Sequence, residues 1–274
     1  MLGAAVIVFR EVIEAGLIIG IVLAVTRTVP RRGLWVSAGV LVASLGAALL
    51  AVFAGRIADA FAGSGQELLN AAVLGIAVVM LMWHSLWMAK HGQELAASMA
   101  QLGRAVSSGR RPLAALAVVV GLAVLREGSE VVLFLYGIVA AGASASSLLL
   151  GSILGLAAGA ACTALTYYGL LAIPTRYIFS VTSVLIALLA AGMAAQAVHY
   201  LDAAGLISVL GERLWDSSGL LPQDSIVGRL LHTLIGYNDR PTELQLITYA
   251  MTLLVMVALN WIATASRPPR RAPA

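Results

Sequence analysis

Long apolar runs recur from one end of this chain to the other, and they fix its fold class before any other feature is read. Seven stretches, at 4–26, 34–55, 67–89, 113–140, 147–172, 175–200 and 243–265, approach or exceed the about 20 residues a helix needs to cross hydrocarbon. With no water there, a backbone must satisfy its own hydrogen bonds, which makes such runs helices. The composition agrees: 61% of the residues are hydrophobic and 11% charged, with a mean hydropathy of +0.96, where a soluble chain carries about 25% charge. The sequence predicts an all-α polytopic membrane protein with seven transmembrane helices.

The first run begins beside Met1 and exceeds the about 7–15 residues of a signal-peptide core, so it reads as a retained span. The single cysteine, Cys162, excludes disulfides, CxxC redox chemistry and thiolate metal clusters within one chain. Charge is segregated between the two sides. Arg27, Arg31, Arg32, Lys90, Arg104, Arg110, Arg111, Arg176, Arg267, Arg270 and Arg271 share one side with a lone Glu94. The other carries Arg56, Asp59, Glu67 and the segment 201–243, where six acids face three arginines. Positive charge marks the cytoplasm, which places the N-terminus outside and the C-terminus inside.

Two of the runs are not purely apolar. "FREVIEA" carries Arg10, Glu11 and Glu14, and "LREGSE" carries Arg126, Glu127 and Glu130. They fall in the first and fourth spans, which run oppositely through the membrane. That is the pattern of a 3+3 inverted repeat with a seventh helix added, an architecture typical of transporters with a midplane site. The expected organisation is one transmembrane domain over 1–265. Repeat one is about 4–89, repeat two about 113–200, an outer segment 201–242 and a last helix 243–265, before a basic cytoplasmic tail at 266–274. Gly151, Gly155 and Gly159 form a small-residue ridge suited to close helix packing.

Residues i, i+3 and i+4 share a helix face, so within each motif the glutamates point together and the arginine reaches the second of them. Six charges in hydrocarbon cost roughly 15–20 kcal/mol on insertion scales, before pairing. Turned toward each other across the repeat interface, they become an oxygen-lined cluster with two arginine counter-ions. A structural ion-pair network is the plain alternative, and it has no reason to carry four acids against two bases. A cation site needs that surplus. Carboxylate oxygens without sulfur favour hard ions, among them Mg²⁺, Ca²⁺, Mn²⁺ and ferric iron.

The paired motifs resemble those of the oxidase-dependent iron permease family, which includes the yeast high-affinity iron permeases and the EfeU-like bacterial branch. The stretches "LWDSSGLLPQDS" and "LIGYNDRPTELQLITY" add to the resemblance, which runs from Phe9 to about Tyr249. It implies seven spans, import of iron (Fe³⁺ or Fe²⁺) across the bacterial cytoplasmic membrane, and Glu11, Glu14, Glu127 and Glu130 as iron ligands. It also implies a periplasmic iron-binding protein and a haem peroxidase as partners. No organic cofactor and no nucleic acid is expected. The x positions differ from the fungal motif, reading "REVIE" and "REGSE" here.

Three further residues are candidates for the iron path: His84 in "LMWHSLWM", His199 in "AAQAVHYL" and Asp216 in the acidic outer segment. A lone membrane histidine is more often a packing residue, and Asp216 equally suits a cap on a helix starting at Ser217. Trp83 and Trp87 read as interface markers. "LISVLGERLW" and "DSIVGRLLHTLI" have the spacing of short interfacial or re-entrant helices. The competing functions are a permease for manganese or lead and a non-transporting scaffold with structural ion pairs. An intramembrane zinc hydrolase would show H-E-x-x-H or similar spacing, which the chain lacks. A transporter, not an enzyme, is expected.

Overall fold

A computed structural model describes residues 1–60, 65–169 and 175–265. It consists of eight helices: α1 Leu2–Val25, α2 Arg32–Ala60, α3 Gln66–Ser107, α4 Ala114–Ala140, α5 Ala145–Tyr167, α6 Thr175–Ala203, α7 Ile226–Ile235 and α8 Glu243–Ala265. Among the described residues there is no strand, only an isolated antiparallel bridge between Arg213 and Thr242. The expected tail at 266–274 lies outside the described residues.

Five helices, α2, α3, α5, α6 and α8, contain stretches long and apolar enough to cross a membrane by length and composition. Helices α1 and α4, of 24 and 27 residues, match them in length. They differ in carrying an arginine and two glutamates each at mid-helix.

Glycines decide which helices touch. A Cβ on Gly151 would stand 2.1 Å from the Met1 carbonyl oxygen, on Gly155 2.5 Å from that of Ala5, and on Gly159 3.1 Å from that of Phe9. The α5 ridge is therefore pressed onto α1, with residue numbers rising together, so the two helices are parallel. A second seam joins α2 to α4 in the same sense: Gly39 against Ala117, Gly46 against Leu125 and Gly128 against Ala47. It ends where the Tyr136 hydroxyl donates to the Ala51 carbonyl at 3.1 Å.

Two apolar layers fill the space between the helices. One joins Ala4 and Ile7 of α1 to Leu74, Ala77 and Leu81 of α3, Phe134 and Ile138 of α4, and Ile186, Leu189 and Met193 of α6. The other joins Val22 of α1 to Val36, Val106, Leu116 and Val120. Along α1 the layers lie on opposite sides of the charged motif, which is thereby closed off in both directions.

Two expectations are corrected. The charged connection between the spans expected at 67–89 and 113–140 is helix as far as Ser107, so α3 has 42 residues. At about 1.5 Å per residue it extends well past a bilayer core. The connection's charge sets it apart from the spans, but Ala, Gln, Leu and Met here are good helix formers, and the first strong turn signal is Ser108-Gly109, with Gly109 at φ 74. The other correction concerns 206–215, which is not helical. Gly205 at φ 72 ends α6, and the following chain pairs with the approach to α8. The Leu214 amide donates to the Pro241 carbonyl at 3.1 Å, and that of Ser217 to Asp239 at 2.9 Å. The second stretch does form a helix, α7, capped by Ser225, whose hydroxyl accepts from the Gly228 amide at 2.9 Å.

Candidate metal site

Glu127 is the central residue of α4, and Glu11 and Glu14 straddle the middle of α1. Where the two helices cross, the motifs meet. Arg10, Glu11, Glu14 and Glu127 each retain 3% or less of their exposure, and Glu130 8%. Arg10 Nε lies 2.9 Å from Glu14 Oε1, with Nη1 3.9 Å from Glu11. Arg126 Nε lies 3.1 Å from Glu130 Oε1. Both motifs thus make the i,i+4 pair their spacing predicts.

The two arginines are not equivalent. Arg10 is enclosed, whereas the Arg126 side chain keeps 35% of its exposure. Its guanidinium sits 4.1 Å above the Trp87 ring centroid, a cation–π contact that supplements the ion pair. Trp87 is therefore occupied with Arg126, and Trp83, next to His84 on α3, is exposed.

Helix α3 brings His84 into the cluster. It is 2% exposed, with Nε2 3.3 Å from Glu14 and 3.7 Å from Glu11, and with Nδ1 in contact with Glu130. The imidazole thereby bridges the α1 carboxylates to Glu130 of α4. Glu11, His84, Glu127 and Glu130 each offer one ligand atom, all within 4.8 Å of one another, a spread that one metal ion can span. Both Glu11 oxygens and Oε2 of Glu127 are buried, and the nearest nitrogens to Glu11 stand off at 3.7 Å in His84 and 3.9 Å in Arg10. Buried carboxylate oxygens left unpaired are costly unless a cation is to be received.

Glu14 stands slightly apart, held by Arg10 and His84. A cavity of about 300 Å³ reaches the cluster between α3 and α4, lined by Met80, Trp83, His84, Trp87, Arg126 and Glu130.

The other two candidates lie elsewhere. His199 is exposed on α6, its ring centroid 5.9 Å from that of Tyr200. Asp216 is exposed in the outer segment. Its Oδ1 accepts from the Ser218 hydroxyl at 2.5 Å and from the Ser218 amide at 3.0 Å, and its Oδ2 from Arg240 Nε at 3.0 Å. Those bonds draw its carboxyl down to about 2.

A family model described as the Iron permease FTR1 family matches residues 1–268. The chain belongs to that family. Ferrous iron permease EfeU of Escherichia coli O6:H1 is 32% identical over 253 residues, covering 90% of this chain and 91% of the relative. The protein of the same name from Shigella sonnei is 32% identical over 270 residues, covering 95% and 97%. That from Yersinia pestis is 30% identical over 272 residues, covering 96% and 93%. No solved structure matches the chain. The family and these relatives identify the chain as a membrane permease that imports iron, and not as an enzyme.

Proposed function

We propose that iron crosses this permease through the carboxylate cluster where α1 meets α4, with Glu11, Glu14, Glu127 and Glu130 receiving the ion. Arg10 and Arg126 hold those carboxylates in place and balance part of their charge while the site is empty. The observation that carries this reading is the fully enclosed Glu11 carboxylate, only loosely held at 3.7 Å from His84 and 3.9 Å from Arg10 and set within 4.8 Å of Glu127 and Glu130 across the helix crossing. The relatives' name points to ferrous iron as the substrate.

The same reading has seven crossings, with α1 and α4 among them. Helix α1 lies parallel to the candidate span α5 along its glycine seam, and α4 lies parallel to the candidate span α2. Parallel pairs at those positions are what alternating crossings of every long helix produce. The inverted repeat of α1–α3 and α4–α6 is supported by the exchange of partners, α1 with α5 and α4 with α2. The charge balance orients the N-terminus outward in a bacterial cytoplasmic membrane.

The experiment is uptake of radiolabelled iron into proteoliposomes, with Fe(II) and Fe(III) offered separately and manganese as a second substrate. Glu127→Gln removes a charge while keeping the size, and uptake is expected to be lost from a protein that remains folded. Undiminished iron uptake by that variant would reduce the cluster to an ion-pair network between helices.

A further inference from the structure

We propose that His84 is the specificity-determining ligand of the cluster, supplying the one nitrogen donor that favours iron over magnesium and calcium. The inference rests on the reading that iron occupies the cluster, and it adds a residue that neither motif contains.

The argument starts from donor chemistry. Four carboxylates make an all-oxygen site, and oxygen ligands are what Mg²⁺ and Ca²⁺ take. A site of that kind selects poorly for iron wherever those ions are in excess. Imidazole nitrogen is a ligand for iron, zinc, copper and nickel, and is a poor match for the hard alkaline-earth ions. The group within one ion's reach is Glu11, His84, Glu127 and Glu130. Glu14, held by Arg10 at 2.9 Å, stands beside that group, so the set nearest the ion is three carboxylates and one imidazole.

The placement of His84 is unlike that of a packing histidine. Its ring is 2% exposed, and both nitrogens point into the cluster: Nε2 toward Glu11 and Glu14, Nδ1 toward Glu130. A histidine serving only to fill space would turn a nitrogen to a backbone carbonyl, as His232 does with Nδ1 2.7 Å from the Tyr237 carbonyl oxygen. His84 makes no such bond. Helix α3, which carries it, also lines the cavity that reaches the site, so an ion approaching from there meets the ring as it meets Glu130.

The test compares the full-length wild type with His84→Asp and His84→Asn in proteoliposomes. It measures Fe(II) uptake against a rising excess of Mg²⁺ or Ca²⁺, and uptake of radiolabelled Ca²⁺ itself. The Asp variant restores an all-oxygen site. Its preference for iron over calcium is expected to fall on the order of tenfold or more, the scale on which single ligand-sphere changes act, with calcium uptake appearing. Retention of the wild-type preference by both folded variants overturns the proposal.

Iron-edge X-ray absorption of the Fe(II)-loaded wild type gives a second measurement that needs no variant. The outer-shell scattering of a coordinated imidazole is expected, and its absence overturns the proposal even if neither variant folds. Glu127→Gln is run alongside. If it transports iron normally, the cluster itself is not the path. If it is inactive while His84→Asp stays selective, only the role of His84 is wrong.

Discussion

Arg10 is the residue whose removal the geometry makes most costly. It is enclosed, 2.9 Å from Glu14 and 3.9 Å from Glu11, and Glu127 and Glu130 lie close by. Arg10→Gln leaves the carboxylates with the half-exposed Arg126 as their one remaining arginine partner. Breaking a buried pair from one side costs about 3–5 kcal/mol, because the remaining charge stays desolvated, which is about two decades or more in the folded-to-unfolded ratio. Arg126→Gln removes a pair whose arginine is 35% exposed. Its solvent-screened pair and its cation–π contact together are worth about 1–2 kcal/mol. The double variant Arg10→Gln/Glu14→Gln removes one charge of each sign and should recover most of the loss. Denaturant titration in detergent micelles, followed by tryptophan fluorescence, measures all three. The reasoning fails if Arg10→Gln is as mild as Arg126→Gln, or if the double variant is no more stable than the single.

Three further outcomes follow from packing and charge outside the cluster. Gly155→Ala sets a Cβ 2.5 Å from the Ala5 carbonyl oxygen and should cost about 1–3 kcal/mol by overpacking; Gly75→Ala, with open space around the added Cβ, should be neutral or stabilising in the same melt. Gly192→Val meets the Gly236 backbone, 2.5 Å from the Cβ position. It should pry α7 from α6, raising proteolytic sensitivity near 226–235 while the spans stay intact. The Asp216 carboxyl is drawn from 3.8 to about 2, so its contribution is present above its ordinary value and is lost only as pH falls toward 2. Asp216→Asn should speed amide exchange at 210–217 equally at pH 5 and pH 7, and a difference that vanishes at pH 5 would refute the pairing with Arg240.

The helices were legible because hydrocarbon leaves a long apolar run few alternatives. The meeting of Glu11 and Glu14 with Glu127 and Glu130 was legible for a related reason, since charges that cannot face lipid must face one another. His84 was visible only as a lone histidine in "LMWHSLWM". What gives it meaning is the packing of α3 on α1 and α4, a long-range contact that no local spacing encodes. The continuation of α3 to Ser107 is written in the helix-forming residues after Lys90, where charge ends the apolar run without ending the helix. The non-helical path of 206–215 depends on backbone partners near 239–244, more than 20 residues on, and its own periodicity pointed the other way.

The two glycine seams bear on how such a chain could arise and fold. Each half lends its first helix to the second helix of the other, since α1 lies on α5 and α4 on α2. Made alone, α1–α3 would leave the Gly39 and Gly46 groove of α2 without α4, and α1 without the ridge that grips it. On the inverted-repeat reading proposed above, two copies of such a half, inserted in opposite orientations, would fill each other's grooves, and the fused chain would resemble a swapped dimer joined end to end. Separately expressed halves should therefore accumulate only when made together, and folding cannot be completed before α5 has entered the membrane.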